Sequence, residues 1–156
     1  MEAHQAGNSE KALSLYDRLL ALSCYVSQPE NCYEQAVNLH YYGTDVVQDR
    51  AMALGIFAKL CETNMGKACH GASLAFNKTS DYKDYNKYIY FQKKGCENDT
   101  PESCFLLGRS HEAPWEEGVF ADHSKANSYF NRACELDYYL GCQYAKVKAT
   151  GHRLKN

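Results

Sequence analysis

The sequence has little of what builds sheet-rich or membrane-spanning proteins. Its 156 residues include only three prolines and ten glycines, and turn signals this sparse do not suit a many-stranded sandwich or barrel. It has no run of about 18 or more apolar residues, the length that a transmembrane helix needs. We therefore expect a mostly helical chain without a membrane span, long enough to form one domain.

An excess of charge of one sign is also absent. Seventeen Lys and Arg residues are balanced by nineteen Asp and Glu residues, which gives a net charge of -2. This balance produces no global field that would attract nucleic acid or an anionic membrane. We therefore expect no nucleic-acid partner.

Cysteine, in contrast, is abundant and regularly spaced. All eight cysteines fall into four pairs with seven residues between the two members: Cys24 and Cys32, Cys61 and Cys69, Cys96 and Cys104, and Cys134 and Cys142. The first members of successive pairs are 37, 35 and 38 residues apart, a period typical of helical repeat arrays. The sequence therefore predicts an all-α fold, an α/α solenoid that extends over residues 1–156 as one domain.

An aspartate lies twelve residues before three of the first cysteines, at Asp49, Asp84 and Asp122. Aspartate is among the best N-cap residues because its carboxylate accepts hydrogen bonds from the free amides of the first helical turn. We therefore predict that a helix begins near each aspartate and ends close to the cysteine. The residues four and eight positions beyond each aspartate then form one helical stripe: Ala53, Phe57, Tyr88, Gln92, Ala126 and Phe130.

The second cysteine of each pair is predicted to open the following helix. Thr100-Pro101-Glu102 is a good start signal, with a capping hydroxyl, a proline at the first helical position and an early carboxylate. Four residues beyond the second cysteine, Ala36, Ser73 or Gly108 would let two helices approach closely. The fourth copy has Lys146 at this position, which fits a solvent-facing last helix.

The seven-residue interval favours disulfides over zinc. Cysteines at the end of one helix and the start of its antiparallel neighbour can bring their Cα atoms within the roughly 4.4–6.8 Å that a disulfide requires. Structural zinc sites usually use cysteines about two to four residues apart. We therefore predict four disulfides, each closing one hairpin and each worth about 2–3 kcal/mol, and neither a metal nor a cofactor. Such a chain needs an oxidising compartment.

No catalytic constellation is visible in the sequence. Ser80 and Lys83 match the Ser-x-x-Lys motif of penicillin-reactive enzymes, but no Ser-Asp-Asn or Lys-Thr-Gly partner occurs, so chance explains the match better. Six histidines form neither an i,i+4 pair nor a His-Glu-x-x-His helix: His4, His40, His70, His111, His123 and His152. We therefore expect the protein not to be an enzyme.

Trp115 has two interpretations. It is the one tryptophan of the chain and lies in the acidic stretch 112–118, in a turn between helices. It would either fold back over its own hairpin or anchor a protein partner, as tryptophan often does at interface hot spots. The sequence leaves both interpretations open.

Parts of the chain resemble the Sel-one-like repeat, a relative of the tetratricopeptide repeat. The resemblance is carried by residues 118–126 (GVFADHSKA), 129–136 (YFNRACEL), 141–142 (GC) and 104–108 (CFLLG). The third repeat matches well, whereas the first two match in register but loosely in letters, and residues 77–84 lack the family's glycine. The resemblance covers essentially the whole chain. It implies an α/α solenoid of about three and a half repeats whose inner surface binds other proteins.

Two cysteine-rich branches of this family have the seven-residue interval. One comprises secreted Helicobacter proteins, and the other resembles a cytochrome c oxidase assembly factor of the mitochondrial intermembrane space. Because residues 1–10 are polar and contain no secretory signal, we favour the intermembrane space, which admits paired-cysteine hairpins without a cleaved signal. Asn77 and Asn98 each begin an N-glycosylation sequon, and unmodified asparagines in a eukaryotic sample would favour this location.

The mitochondrial branch implies a non-catalytic interaction scaffold. Its role would be that of an assembly factor or a peripheral subunit, with protein partners in a membrane-bound respiratory-chain complex. The other branch implies an alternative, a secreted or periplasmic protein that binds a β-lactam or a cell-wall peptide.

Overall fold

The computed structural model describes residues 28–42 and 46–145, and this part of the chain is helical and contains no strand. Its seven helices are α1 (Pro29–Tyr42), α2 (Val46–Glu62), α3 (Gly66–Leu74), α4 (Tyr85–Glu97), α5 (Pro101–Glu112), α6 (His123–Glu135) and α7 (Tyr139–Tyr144). Each helix packs against the next one along the chain. The predicted all-α solenoid is therefore confirmed. None of the described helices combines the length and the apolar character that crossing a bilayer requires.

Disulfides close three successive hairpins, and their cysteines occupy equivalent helix positions. The first cysteine is the next-to-last residue of its helix, and the second is the fourth residue of the following helix. The bridges are Cys61–Cys69, Cys96–Cys104 and Cys134–Cys142, with Cα–Cα distances of 4.6, 4.6 and 4.5 Å. Three of the four predicted bridges are thus present. Cys24 lies outside the described residues, so its pairing with Cys32 stays a prediction.

The turn inside each of these hairpins has the same backbone conformation. The third residue after the first cysteine is left-handed, with φ of 64° at Asn64, 59° at Asp99 and 62° at Asp137. In the first hairpin, the Met65 amide donates to the Leu60 carbonyl at 3.3 Å, and the Asn64 amide donates to the Cys61 carbonyl at 3.0 Å. This is the Schellman ending of a helix, in which Asn and Asp accept the left-handed conformation more readily than other non-glycine residues.

Two of the three predicted aspartate caps are present. The Asp84 carboxylate accepts from the Lys87 amide at 3.0 Å, and the Asp122 carboxylate accepts from the Lys125 amide at 2.9 Å. The prediction for Asp49 was wrong, because α2 already begins at Val46 and Asp49 is the fourth residue inside the helix. The sequence has another aspartate directly before Val46, so the cap-type residue nearest to this helix start lies outside the repeat's twelve-residue register.

The start of α5 was predicted correctly except for its capping hydroxyl. Pro101 is the first helical residue and Glu102 lies in the first turn, but the Thr100 side chain makes no capping hydrogen bond. Thr100 is buried, and its hydroxyl packs against the backbone of the preceding hairpin. A Cβ added to Gly66 would lie only 2.3 Å from the Thr100 Oγ1.

The core consists of two apolar clusters along the array. The first centres on Ile56 and Phe57 of α2, and the second on Phe105 of α5 and Phe130 of α6. All six side chains of the predicted stripe are buried, which confirms the helical register of α2, α4 and α6.

The predicted small positions are also places of close contact. Ala36 and Ser73 are completely buried, and a Cβ on Gly108 would lie 2.6 Å from the Phe130 Cε1. A larger side chain at position 108 would therefore displace Phe130. Lys146 lies outside the described residues.

Candidate protein-interaction surface

The most exposed large apolar side chain of the described residues lies in the loop between α5 and α6. Phe120 is 88% exposed, and its neighbour Val119 is 42% exposed. We call residues 113–121 the aromatic loop. A solitary exposed apolar residue needs no explanation, but here two are adjacent on a loop that also carries Trp115. The aromatic loop is therefore the strongest candidate for a binding surface.

Backbone hydrogen bonds order the aromatic loop at its base and at its tip. At the base, the Asp122 amide donates to the His111 carbonyl at 2.8 Å and brings the two ends together. At the tip, the Val119 amide donates to the Glu116 carbonyl at 3.3 Å, and Gly118 has a φ of 79°. These features are those of a type II turn, whose third position favours glycine. The turn places Val119 and Phe120 directly after the tip.

Trp115 attaches the aromatic loop to α4. Its indole stands edge-on to the ring of Tyr85, with 5.0 Å between centroids, and the ring of Tyr88 is 6.1 Å away. Edge-to-face pairs of this kind contribute about 0.5–1.5 kcal/mol beyond the burial of their area. Trp115 is half-buried, so it folds back onto the array as the first interpretation expected, but its ring contacts are with α4 and not with the two helices that its loop connects. Contact between Trp115 and a partner stays a prediction.

The tyrosines beneath Trp115 are held as neutral hydroxyls. Burial raises the pKa of Tyr85, and the nearby Glu116 carboxylate raises it further. Burial likewise raises the pKa of Tyr88, although Gln92 and Ser110 oppose this effect. The Tyr85 hydroxyl donates to the Ser110 carbonyl at 3.4 Å. The contact between the loop and α4 therefore rests on uncharged aromatic side chains.

The tip of the aromatic loop carries unmatched negative charge. Residues 112–122 contain four acidic residues and no Lys or Arg. The outer two are matched by their own helices, since Glu112 pairs with Arg109 at 3.6 Å and Asp122 pairs with Lys125 at 3.5 Å. Glu116 and Glu117 are exposed, and neither forms a salt bridge with another described residue. Two carboxylates without a salt bridge to any described residue thus lie beside the exposed apolar pair.

A groove of about 560 Å³ borders Trp115. It is lined by Lys78, Lys83, Asp84, Tyr85, Asn86, Trp115 and Glu116. The groove is mixed in charge because two lysines and two carboxylates line it. Glu117, Val119 and Phe120 do not line it, whereas Glu116 borders both the groove and the tip.

The Ser-x-x-Lys motif does not form a nucleophile and base. Ser80 borders a different cleft, of about 300 Å³, which it shares with His40 and Arg50. Its hydroxyl donates to the Ala75 carbonyl, whereas the Lys83 side chain lines the groove beside Trp115. A general base must lie within hydrogen-bond reach of the group that it activates. This separation favours the chance explanation of the motif.

The described histidines lie singly in the helical array. Burial lowers the pKa of His40, His70 and His111, and the His123 side chain is exposed. Gln92 acts against the lowering of the His70 pKa, although the buried His70 Nδ1 and the buried amide atoms of Gln92 form no hydrogen bond within the described residues. No three His, Cys, Asp or Glu side chains within residues 28–42 and 46–145 converge to hold a metal ion.

Comparison with known proteins identifies the fold. No family model matches the sequence, and no curated protein matches it. Among solved structures, Helicobacter pylori cysteine rich protein B is similar, with a TM-score of 0.54 at 19% identity. The similarity covers 75% of this chain and 91% of that protein. At this identity the likeness shows a common helical-repeat architecture and nothing about the ligand.

Proposed function

We propose that the protein is a non-catalytic scaffold that binds a protein partner through its aromatic loop. The observation that carries the proposal is the exposure of Val119 and Phe120 on an ordered loop of a disulfide-closed array. Because the loop and helices are ordered before a partner arrives, association loses less conformational entropy. The resemblance to a family that binds proteins supports the same function.

The disulfides indicate an oxidising compartment. Within that limit, we propose the mitochondrial intermembrane space, where the protein would act as an assembly factor or peripheral subunit of a respiratory-chain complex. The support is the cysteine interval on short helical hairpins, which resembles that of proteins imported into this compartment by oxidation.

Native gel electrophoresis tests the proposed function. The tagged chain would be expressed in its native organism and extracted without reductant, either as wild type or with Phe120→Ser. Tyr90→Ser is the matched control, since Tyr90 is an aromatic side chain of α4 with 53% exposure. We expect the wild type and the control to co-migrate with a membrane respiratory complex and Phe120→Ser to lose most of this association. Absence of co-migration for all three proteins would contradict the respiratory assignment.

A second candidate is a secreted or periplasmic protein that binds a β-lactam or a cell-wall peptide. The observation that favours it is the likeness in fold to the Helicobacter protein, and the separation of Ser80 from Lys83 counts against covalent capture. Covalent attachment of a fluorescent penicillin, lost on Ser80→Ala, would support this candidate. We expect no attachment.

A further inference from the structure

We propose that the tip of the aromatic loop recognises a partner segment in which basic side chains flank one apolar anchor residue. This inference rests on the proposed function and adds the chemistry of the partner. It combines two observations at one place, the exposed pair Val119 and Phe120 and the unmatched carboxylates Glu116 and Glu117.

The exposed pair Val119 and Phe120 favours a partner segment that has an apolar anchor residue. Phe120 is exposed almost as fully as in an extended chain, and the turn at Gly118 fixes the backbone that carries it. An aromatic side chain that becomes buried on association is a typical interface hot spot. Truncating it should therefore weaken binding by about tenfold or more.

The carboxylates select for cations around that anchor. The outer acidic residues of the segment, Glu112 and Asp122, are already paired within the array, whereas Glu116 and Glu117 form no salt bridge within the part of the chain that the structure describes. Partner Lys or Arg side chains would complement the two free carboxylates, and an acidic segment would be repelled. Because both carboxylates are exposed, salt should screen the attraction.

The lysines near Trp115 share a groove with Glu116 but not with Glu117 or Phe120. Glu116 lines the groove with Lys78 and Lys83 but forms no salt bridge with either of them. A basic segment can therefore meet Glu117 and Phe120 without entering the groove, and Glu116 can be reached from the edge that the groove shares with the tip. For the other exposed apolar pair, Tyr139 and Leu140, nothing in the described residues shows what covers it.

Labelled synthetic peptides test the proposal on the full-length oxidised protein. One peptide carries a central Leu flanked by lysines, the second has glutamates in place of the lysines, and the third has Ser in place of the Leu. Fluorescence polarisation at low and high salt gives the relative affinities. We expect the basic Leu peptide to bind at least about tenfold more tightly than either of the others, with an affinity that falls as salt rises.

Variants then assign the binding to the tip. We expect Phe120→Ser to lower the affinity for the basic peptide by about tenfold or more. The double variant Glu116→Gln with Glu117→Gln should also lower this affinity and should remove most of its salt dependence. The control Tyr90→Ser should bind as the wild type does. Equal or tighter binding of the acidic peptide, or unchanged binding by both tip variants, would overturn the proposal.

The native-gel experiment separates the two proposals. If Phe120→Ser loses the native partner but the basic peptide shows no preference, the loop binds a partner of different chemistry and only this inference fails. If no variant affects any native association, the proposed function fails as well.

Discussion

The indole of Trp115 stands edge-on to the ring of Tyr85 at 5.0 Å and 86°, whereas Phe120, five residues further along the same loop, is 88% exposed. The two aromatic side chains therefore have different roles. Trp115 holds the loop on α4, and Phe120 is available to a partner.

Stability measurements should separate these roles. Trp115→Ala should lower the free energy of unfolding by about 1–2 kcal/mol, because it removes two edge-to-face contacts and half-buried area. Phe120→Ser should change it by no more than about 0.5 kcal/mol, as is usual for an exposed side chain. Urea unfolding followed by far-UV circular dichroism measures both. Equal losses would show that Phe120 also supports the fold.

Helix capping gives a second prediction. Asp84→Ala should lower the free energy of unfolding by about 1 kcal/mol, because the Lys87 amide loses its acceptor. Asp84→Asn should retain most of the stability, since Asn caps as well as Asp does. Asp49→Ala should have a smaller effect, because Asp49 lies inside α2 and Ala favours the helix interior. The same urea titrations rank the three variants, and an effect of Asp49→Ala as large as that of Asp84→Ala would contradict the assignment.

The repeat was predictable from the sequence because its signals are local and chemically restrictive. A disulfide fixes the separation of two Cα atoms, so the interval between Cys96 and Cys104 predicted the hairpin. The Asp84 cap was predictable because aspartate is a strong N-cap residue and lies twelve residues before Cys96. The Asp49 prediction failed because α2 begins only four residues after α1 ends, whereas α4 begins eleven residues after α3 ends. Cysteine spacing does not specify the length of the connection between hairpins.

The candidate site was predicted only in part. The sequence predicted Trp115 as a candidate contact residue. Trp115 and Phe120 are both aromatic residues of one loop, and composition does not determine which of them packs against the helices. That choice depends on Tyr85 and Tyr88, which lie about thirty residues earlier. Gly118 after two glutamates is a local signal for a turn, and a turn there favours exposure of the residues that follow it.

The stability of the fold should depend on the protonation of His70. Burial lowers the pKa of His70 below its ordinary value of 6.5, although Gln92 and Glu102 act in the opposite direction. The unfolded chain therefore takes up the proton first as the pH falls. The contribution of neutral His70 to the free energy of unfolding is complete above about pH 6.5, and it is lost as the pH falls towards the folded-state pKa. His70→Gln should reduce the loss of unfolding free energy between about pH 7.5 and pH 5.5, measured by urea titration at both values. An unchanged difference would contradict this assignment.

The three bridges should differ in their resistance to reductant. Cys61–Cys69 and Cys96–Cys104 are buried, whereas both cysteines of Cys134–Cys142 are half-exposed. Because thiol–disulfide exchange requires access to the sulfur, Cys134–Cys142 should be reduced first. Alkylation after increasing doses of reductant, followed by mass spectrometry of the peptides, gives the order. Earlier reduction of a buried bridge would show that local opening, and not static exposure, controls access.

Three conclusions depend on the pairing of each cysteine within its own hairpin. They are the helical-repeat fold, the oxidising compartment and the order of the aromatic loop. Peptide mapping by mass spectrometry tests this pairing directly. Native material is used, its thiols are blocked before proteolysis, and no reductant is added. We expect Cys24–Cys32, Cys61–Cys69, Cys96–Cys104 and Cys134–Cys142, with no blocked thiol. Eight blocked thiols, or bridges between different hairpins, would contradict the account.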